Sequence, residues 1–378
     1  MSCEKTQLAI WRYYDDYMQI TRCQQRASAS SLFLVMLLSD FDYNLPEDLI
    51  AQQPAARREA SQMLFVDRQT ASFSDHSFAD LPSFLQPDDL LVLNNTKVFP
   101  ARLHGKTETG AVVETFLIQE IEPYVWTALA RPAKRLRPDK KIIFSDLLTA
   151  ELIEKHDDGK VSIRFSANGD LMELIETLGK TPLPPYIKRE KTAIDDDRER
   201  YQTVYAKNRG AIAAPTAGLH FSPDVLDEIR AKGVEIAEIT LHVGYGTFEP
   251  VRVDDIAKHT VLPERYEIDL QTTDMLNAAK ASRRRVVAIG TTTTRALESN
   301  ITNFGTFTAG KHSAAVTITP GYQFLAVDAL LTNFHLPKSS LLVLTSVFGG
   351  HQLIMDAYRH AVAKNYRFYS YGDCMLIL

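Results

Sequence analysis

The residues of this chain best able to do chemistry are two histidines, a run of threonines and a set of polar residues at strand ends. In Pro215-Thr216-Ala217-Gly218-Leu219-His220-Phe221 a strand breaks at proline and glycine just before a helix capped by Ser222 and opened by Pro223. The break exposes the Thr216 hydroxyl, the His220 imidazole and helix N-terminal N–H groups, a setting that suits a carboxylate or phosphate. An isolated histidine more often caps or packs, so the neighbouring motifs decide the reading. The strand Val234 to Val243 places Ala237, Ile239, Leu241 and Val243 on one face and Glu238, Thr240 and His242 on the other. His242 then runs into Gly244-Tyr245-Gly246-Thr247-Phe248, where Glu249 stands at the third glycine position of a dinucleotide fingerprint and argues against a nicotinamide fold. Arg285 to Ile289 leads through Gly290 into Thr291-Thr292-Thr293-Thr294-Arg295. Hydroxyls and amides at such a strand-turn-helix suit ribose or a carboxylate, with Arg295 as a bidentate clamp, although the same run would serve as a capping cluster. Asn94-Asn95-Thr96 and Thr332-Asn333-Phe334-His335 are further polar strand ends, and Tyr366 to Asp373 mixes aromatic rings with a carboxylate. Those rings could stack on a base or simply fill a core.

Other patterns carry no chemistry. Gly305 to Lys311 nearly spells a phosphate loop, but His312 replaces the required hydroxyl residue and no strand precedes it. HExxH and CxxC are absent, and Cys3, Cys23 and Cys374 are far apart, so neither a metal centre nor a disulfide framework is expected. The cysteine usage fits a reducing cytoplasm. With 42 Lys plus Arg against 47 Asp plus Glu, a polyanion would have to be held by local patches such as Lys134 to Lys141 or Arg283 to Arg285.

The elements that must position these residues follow from periodicity. At 378 residues and 45% apolar side chains, the chain is long enough for two or three domains. A signal peptide is disfavoured by Glu4, Asp15 and Asp16, and no stretch is long enough to span a membrane. Regular patterning begins near Met36, so residues 1–35 read as an extension. A short helix is expected from Glu47 to Gln52 and a buried strand from Leu90 to Leu93. Between Arg102 and Pro182 closely spaced strands (Val112 to Gln119, Tyr124 to Ala130, Lys141 to Phe144, Leu148 to Lys155, Val161 to Phe165) predict a small sheet or barrel, closed by a helix from Leu171 to Leu178 that stops at Gly179. The second half alternates strand and helix: Ala211 to Ala214, the helix after Ser222, Val234 to Val243, a helix from Asp274 to Ser282, Arg285 to Ile289, and a helix beginning near Thr294. Ala326 to Leu331, the apolar run Leu341 to Phe348, a helix from Gln352 to Ala363 and a strand from Arg367 to Tyr371 complete it. The fold class is α/β: a mixed α/β domain (36–101 and 183–378) with an inserted, small β-barrel-like domain (102–182).

Longer motifs tie these pieces together. Asp40-Phe41-Asp42-Tyr43-Asn44-Leu45-Pro46, Asn94 to Arg102, Pro182-Leu183-Pro184-Pro185-Tyr186-Ile187, Tyr201 to Tyr205, Ala214 to Phe221, Thr240 to Gly244, Thr332 to Pro337 and Tyr369 to Asp373 occur in this order. The whole stretch from Met36 onward resembles the S-adenosylmethionine:tRNA ribosyltransferase-isomerase family of queuosine biosynthesis. The resemblance implies an enzyme that moves the ribosyl part of S-adenosylmethionine onto 7-aminomethyl-7-deazaguanine at the tRNA wobble position, giving epoxyqueuosine, adenine and methionine. S-adenosylmethionine would be a consumed co-substrate, with no tightly bound cofactor, and the partner would be tRNA rather than a membrane. A cytoplasmic monomer is expected. For this reaction His220 or His242 is expected to transfer a proton. Asn95, Arg102, Thr216, Thr292, Thr293, Arg295, Asn333, His335, Tyr371 and Asp373 are expected to bind substrate. The chain departs from the family pattern at Leu262, where relatives carry a histidine, and at Val112, where they carry a lysine. A non-catalytic tRNA-binding relative is therefore the alternative, and a methyltransferase is disfavoured by the missing glycine-rich fingerprint.

Overall fold

The computed structural model describes residues 35–133, 136–138, 140–189, 197–244, 246 and 250–378. The amino-terminal extension with Cys3 and Cys23, basic residues Lys134 and Arg135, and most of the glycine-rich segment after Gly244 lie outside the described residues. Residues Leu37–Leu378 form the unit discussed below.

Among the described residues the larger sheet has nine strands, in the order Gly310–Ala314, Glu264–Ile268, Glu235–Leu241, Leu90–Asn94, Val286–Ile289, Ala329–Asn333, Cys374–Ile377, Gln62–Asp67 and Ser72–Ser77. Its middle is parallel: Leu90–Asn94 pairs with Glu235–Leu241 on one side and Val286–Ile289 on the other, and Val286–Ile289 pairs with Ala329–Asn333. Every residue of Leu90–Asn94, Val286–Ile289 and Ala329–Asn333 is buried, which explains their unbroken apolar runs. Helix Pro223–Ala231 shows how local sequence feeds this core. Ser222 accepts from the Val225 N–H, Pro223 opens the first turn, and Val225, Leu226 and Ile229 join the cluster around Phe78, Leu93 and Leu331. Each such side chain contributes about 1.5–3 kcal/mol.

The inserted strands close on themselves. Val161–Ala167, Val125–Arg131, Val112–Glu122, Arg102–Thr107, Lys141–Ser145 and Leu148–Lys155 form a closed antiparallel barrel. Alternating burial sends Leu103, Val113, Leu117, Ala128, Ile142 and Ile163 inward. Helix Leu171–Leu178, capped by Asp170, adds Leu171 and Ile175 to the same cluster. Gly179 follows it, but its φ of −79° is ordinary; a Cβ there would lie 2.0 Å from the Pro100 carbonyl oxygen, so close approach is what glycine provides.

Several elements differ from the sequence expectation. Glu47 to Gln52 is a single 3-10 turn, Glu47–Leu49, because the segment between Pro46 and Pro54 is too short for a stable α-helix. The strand expected at Ala211 to Ala214 is Asn208–Ala211, pairing in parallel with Thr96–Val98. The apolar run around Leu341 is a helix, Ser340–Gly349. Arg367 to Tyr371 is irregular, with Tyr369 at φ +74°, and the terminal strand is Cys374–Ile377. The phosphate-loop lookalike splits between the end of helix Thr291–Phe304, closed by Gly305, and the edge strand Gly310–Ala314. Among the described residues no helix is long and apolar enough to cross a membrane.

Candidate active site

The parallel strands open at their carboxyl ends into a cavity of about 650 Å³, mouth included. Val243 follows strand Glu235–Leu241 into it, Gly290, Thr291 and Thr292 follow Val286–Ile289, and Thr332, Asn333, Phe334 and His335 end or follow Ala329–Asn333. Gly290 takes φ +90°, which lets the chain turn from strand directly into helix Thr291–Phe304 and aim that helix's first N–H groups at the cavity. Pro215 and Thr216 close one side.

Part of the lining is aromatic. Tyr186, Tyr201 and Tyr369 belong to it, with the Tyr186 and Tyr369 rings 3.8 Å apart at 71° and the Tyr186 hydroxyl 2.5 Å from Ser370 Oγ. Burial pushes the Tyr186 phenol far up and Tyr201 up to about 12, so both stay neutral. Behind them Arg189 grips Asp197 through Nε at 2.7 Å and Nη2 at 2.9 Å, and the Tyr371 hydroxyl donates to Asp197 Oδ1 at 2.7 Å. Burial pushes the Asp197 carboxyl up, but the hydrogen bonds from Arg189 and Tyr371 outweigh it and hold the group below its usual range.

Three imidazoles surround the carboxyl end of the sheet. His335 lines the cavity, with Nε2 at 3.0 Å from Thr332 Oγ1, and burial drives its pKa down to about 3. His220 stands one layer back, Nδ1 at 2.6 Å from Ser61 Oγ and Nε2 at 3.2 Å from Asn333 Nδ2. Burial, with Arg367 and Arg58 adding to it, takes His220 to about 3 as well. His242 lies 2.8 Å from Thr96 Oγ1 through Nδ1, and burial lowers its pKa too. All three are neutral near pH 7.

Of the residues singled out in the sequence, Thr216, Thr292, Asn333 and His335 meet in the cavity. The others have partners elsewhere. Thr293 is fully buried and donates back to the Ile289 carbonyl at 2.7 Å. Asn95 donates to Glu238 at 3.0 Å and accepts from Thr240 at 2.7 Å. Arg102, on the first barrel strand, pairs with Glu114 at 2.9 Å. The carboxylate that Arg295 clamps is Glu264, and its guanidinium also donates to the carbonyls of Leu262 and Ala314. Arg295 borders a second, smaller cavity with Leu262 and His259, which shares Leu341 with the main one. Tyr371 is engaged with Asp197, and the Asp373 carboxylate accepts from the backbone of Gln62 at 2.9 Å and Arg367 at 2.7 Å. Sequence reasoning did not single out Ser61, Tyr186 or Tyr201. Tyr186 and Tyr201 fall inside recognisable motifs, whereas nothing local marks Ser61. Among the described residues no cluster of three or more His, Cys, Asp or Glu could hold a metal ion.

A mixed α/β layer carries an inserted closed barrel, and a polar and aromatic cavity at the carboxyl ends of its strands stands where α/β proteins commonly bind ligands. Residues 38–377 match the family described as queuosine biosynthesis protein, and the chain belongs to that family. It is 48% identical over 345 residues to the S-adenosylmethionine:tRNA ribosyltransferase-isomerase of Syntrophotalea carbinolica, covering 91% of this chain and 100% of that one. The protein of the same name from Trichlorobacter lovleyi is 46% identical, again over 91% of this chain and 100% of the relative. The crystal structure of the S-adenosylmethionine tRNA ribosyltransferase of Thermotoga maritima superposes with a TM-score of 0.51 at 34% identity, covering 90% of this chain and 100% of that chain.

Proposed function

We propose that this protein is an S-adenosylmethionine:tRNA ribosyltransferase-isomerase. It transfers and isomerises the ribosyl moiety of S-adenosylmethionine onto 7-aminomethyl-7-deazaguanine at the wobble position of tRNA, releasing adenine and methionine and leaving epoxyqueuosine. The observation that carries this reading is the cavity in which Thr216, Thr292, Asn333 and His335 converge beside two aromatic rings, in a chain of which 91% aligns with the full length of a relative bearing that name.

The reaction removes a proton from the carbon beside the sulfonium, a step for which a neutral imidazole is a suitable base. His220 and His242 are the sequence's candidates; the geometry favours His335, which of the three imidazoles is the one that lines the cavity. Thr292 and the N–H groups at the start of its helix suit the ribose hydroxyls or the methionine carboxylate. Tyr186 and Tyr369 offer faces and edges for a base. Arg102, on the barrel, is a contact for the larger substrate, tRNA. In this reading residues 102–182 are the inserted domain, residues 1–35 lie outside the family, and the enzyme works as a single chain in the cytoplasm.

Incubating the protein with S-adenosylmethionine and tRNA carrying 7-aminomethyl-7-deazaguanine, then analysing the digested nucleosides by mass spectrometry, tests this. Epoxyqueuosine with equimolar free adenine is expected. Unchanged tRNA that is nevertheless bound would overturn the catalytic assignment in favour of a binding-only relative, and S-adenosylhomocysteine would point to methyl transfer.

A further inference from the structure

We infer that the Asn333 carbonyl oxygen is the cavity's acceptor for a substrate N–H group, and that Ser61 and His220 hold the carboxamide in the orientation that leaves this oxygen free. Asn333 ends strand Ala329–Asn333, lines the cavity and is 2% exposed. Its amide nitrogen is fully committed: Nδ2 lies 3.1 Å from the Tyr369 carbonyl, 3.5 Å from the Asp373 carbonyl and 3.2 Å from His220 Nε2. Oδ1, by contrast, is buried with no partner among the described residues. Native proteins rarely leave such an oxygen unpaired, and where they do a ligand or water completes it. Flipping the amide gives no relief, because the oxygen would then face the Tyr369 and Asp373 carbonyls.

The orientation propagates outward as a relay. Since Nδ2 donates to His220 Nε2, the imidazole carries its proton on Nδ1 and donates it to Ser61 Oγ at 2.6 Å. Ser61 Oγ donates in turn to the Arg58 carbonyl at 3.3 Å. Phe78 packs against the His220 ring, with centroids 5.3 Å apart, and fixes its plane. Each link has one donor and one acceptor, so the direction is set throughout. Protonating His220 would place an N–H against the Asn333 amide and break it. Burial prevents that near pH 7. His220 is on this account a positioning residue acting through Asn333.

The inference rests on the proposed function for the identity of the donor. An adenine amino group or a methionyl ammonium would belong to S-adenosylmethionine, and an aminomethyl group to the tRNA base. Calorimetric binding of S-adenosylmethionine and of the tRNA, measured separately from turnover, distinguishes the two sources. Asn333→Ala is expected to weaken one of them about 10- to 100-fold while leaving the other within about twofold. His220→Leu should weaken the same ligand. His220→Gln, which can accept from Asn333 and donate to Ser61, should restore it. The double variant Asn333→Ala with His220→Leu should bind no worse than Asn333→Ala alone, because the two act as one unit. If Asn333→Ala does not fold, the His220→Leu and His220→Gln pair reads the same constant. Unchanged binding of both ligands in the folded variants, or additive losses in the double variant, would overturn the inference. A wild-type protein that binds S-adenosylmethionine but never forms epoxyqueuosine would defeat the proposed function while leaving the binding test of Asn333 intact.

Discussion

Gly210 and His242 share one patch of space: a Cβ on Gly210 would lie 2.7 Å from Cε1 and from Nδ1 of the imidazole. Gly210 belongs to strand Asn208–Ala211 and takes φ +149°, while Thr96, on its partner strand, holds the ring through Nδ1. Gly210→Ala must therefore strain the backbone and push His242 off Thr96. We expect a loss of about 1–3 kcal/mol in urea denaturation, and an unaltered midpoint would show that the ring has room to move.

Acid should weaken the fold through His220 and His335. Both have pKa values near 3 in the native protein against 6.5 when free, in each case chiefly because of burial. The unfolded chain thus binds protons that the native one refuses, so stability is complete above pH 6.5 and declines as pH falls toward 3. The slope approaches about 1.4 kcal/mol per pH unit for each ring. Denaturation midpoints at about pH 7.5 and about pH 5 measure it; equal midpoints would mean that neither imidazole is sealed from solvent.

The buried pair Arg295 and Glu264 should be costly to break from one side. Their side chains are 9% and 5% exposed, and Arg295→Met leaves Glu264 without its guanidinium. A loss of about 3–5 kcal/mol is expected, with part regained in Arg295→Met combined with Glu264→Gln. Thermal and urea unfolding of the three variants gives the answer, and a mild single-variant effect would contradict the pair's burial.

His335→Gln should lower kcat for adenine release about 100-fold with the KM for S-adenosylmethionine changed by less than about threefold. His242→Ala should cost less than about tenfold. The reverse ranking would hand the proton transfer to His242.

The barrel was legible in sequence because its strands alternate at period two, and helix Leu171–Leu178 because its apolar face and both ends are marked. The parallel strands showed as short unbroken apolar runs. Helix Thr291–Phe304 begins earlier than the sequence suggests: Thr293 and Thr294 bond back to the Ile289 and Gly290 carbonyls, so hydroxyls that could have met a ligand stabilise the first turn. Arg295 and Asp373 teach the same lesson. Residue type told that Arg295 seeks a carboxylate and that Asp373 seeks N–H donors. It could not tell that Glu264 and the backbone of Gln62 and Arg367 reach them first. Tyr186 stands in a proline-rich motif, and its residue type alone does not tell that its ring lines the cavity.

The strand order carries a further consequence for how the protein is made. Cys374–Ile377 lies between Ala329–Asn333 and Gln62–Asp67, so among the described residues the hairpin Gln62–Ser77 joins the sheet through it alone. On the ribosome that hairpin emerges before its partner strand, so Met63, Leu64 and Val66 lack that neighbour until Cys374–Ile377 follows. Chains that lack Cys374–Ile377 would carry an open edge ready to pair with one another.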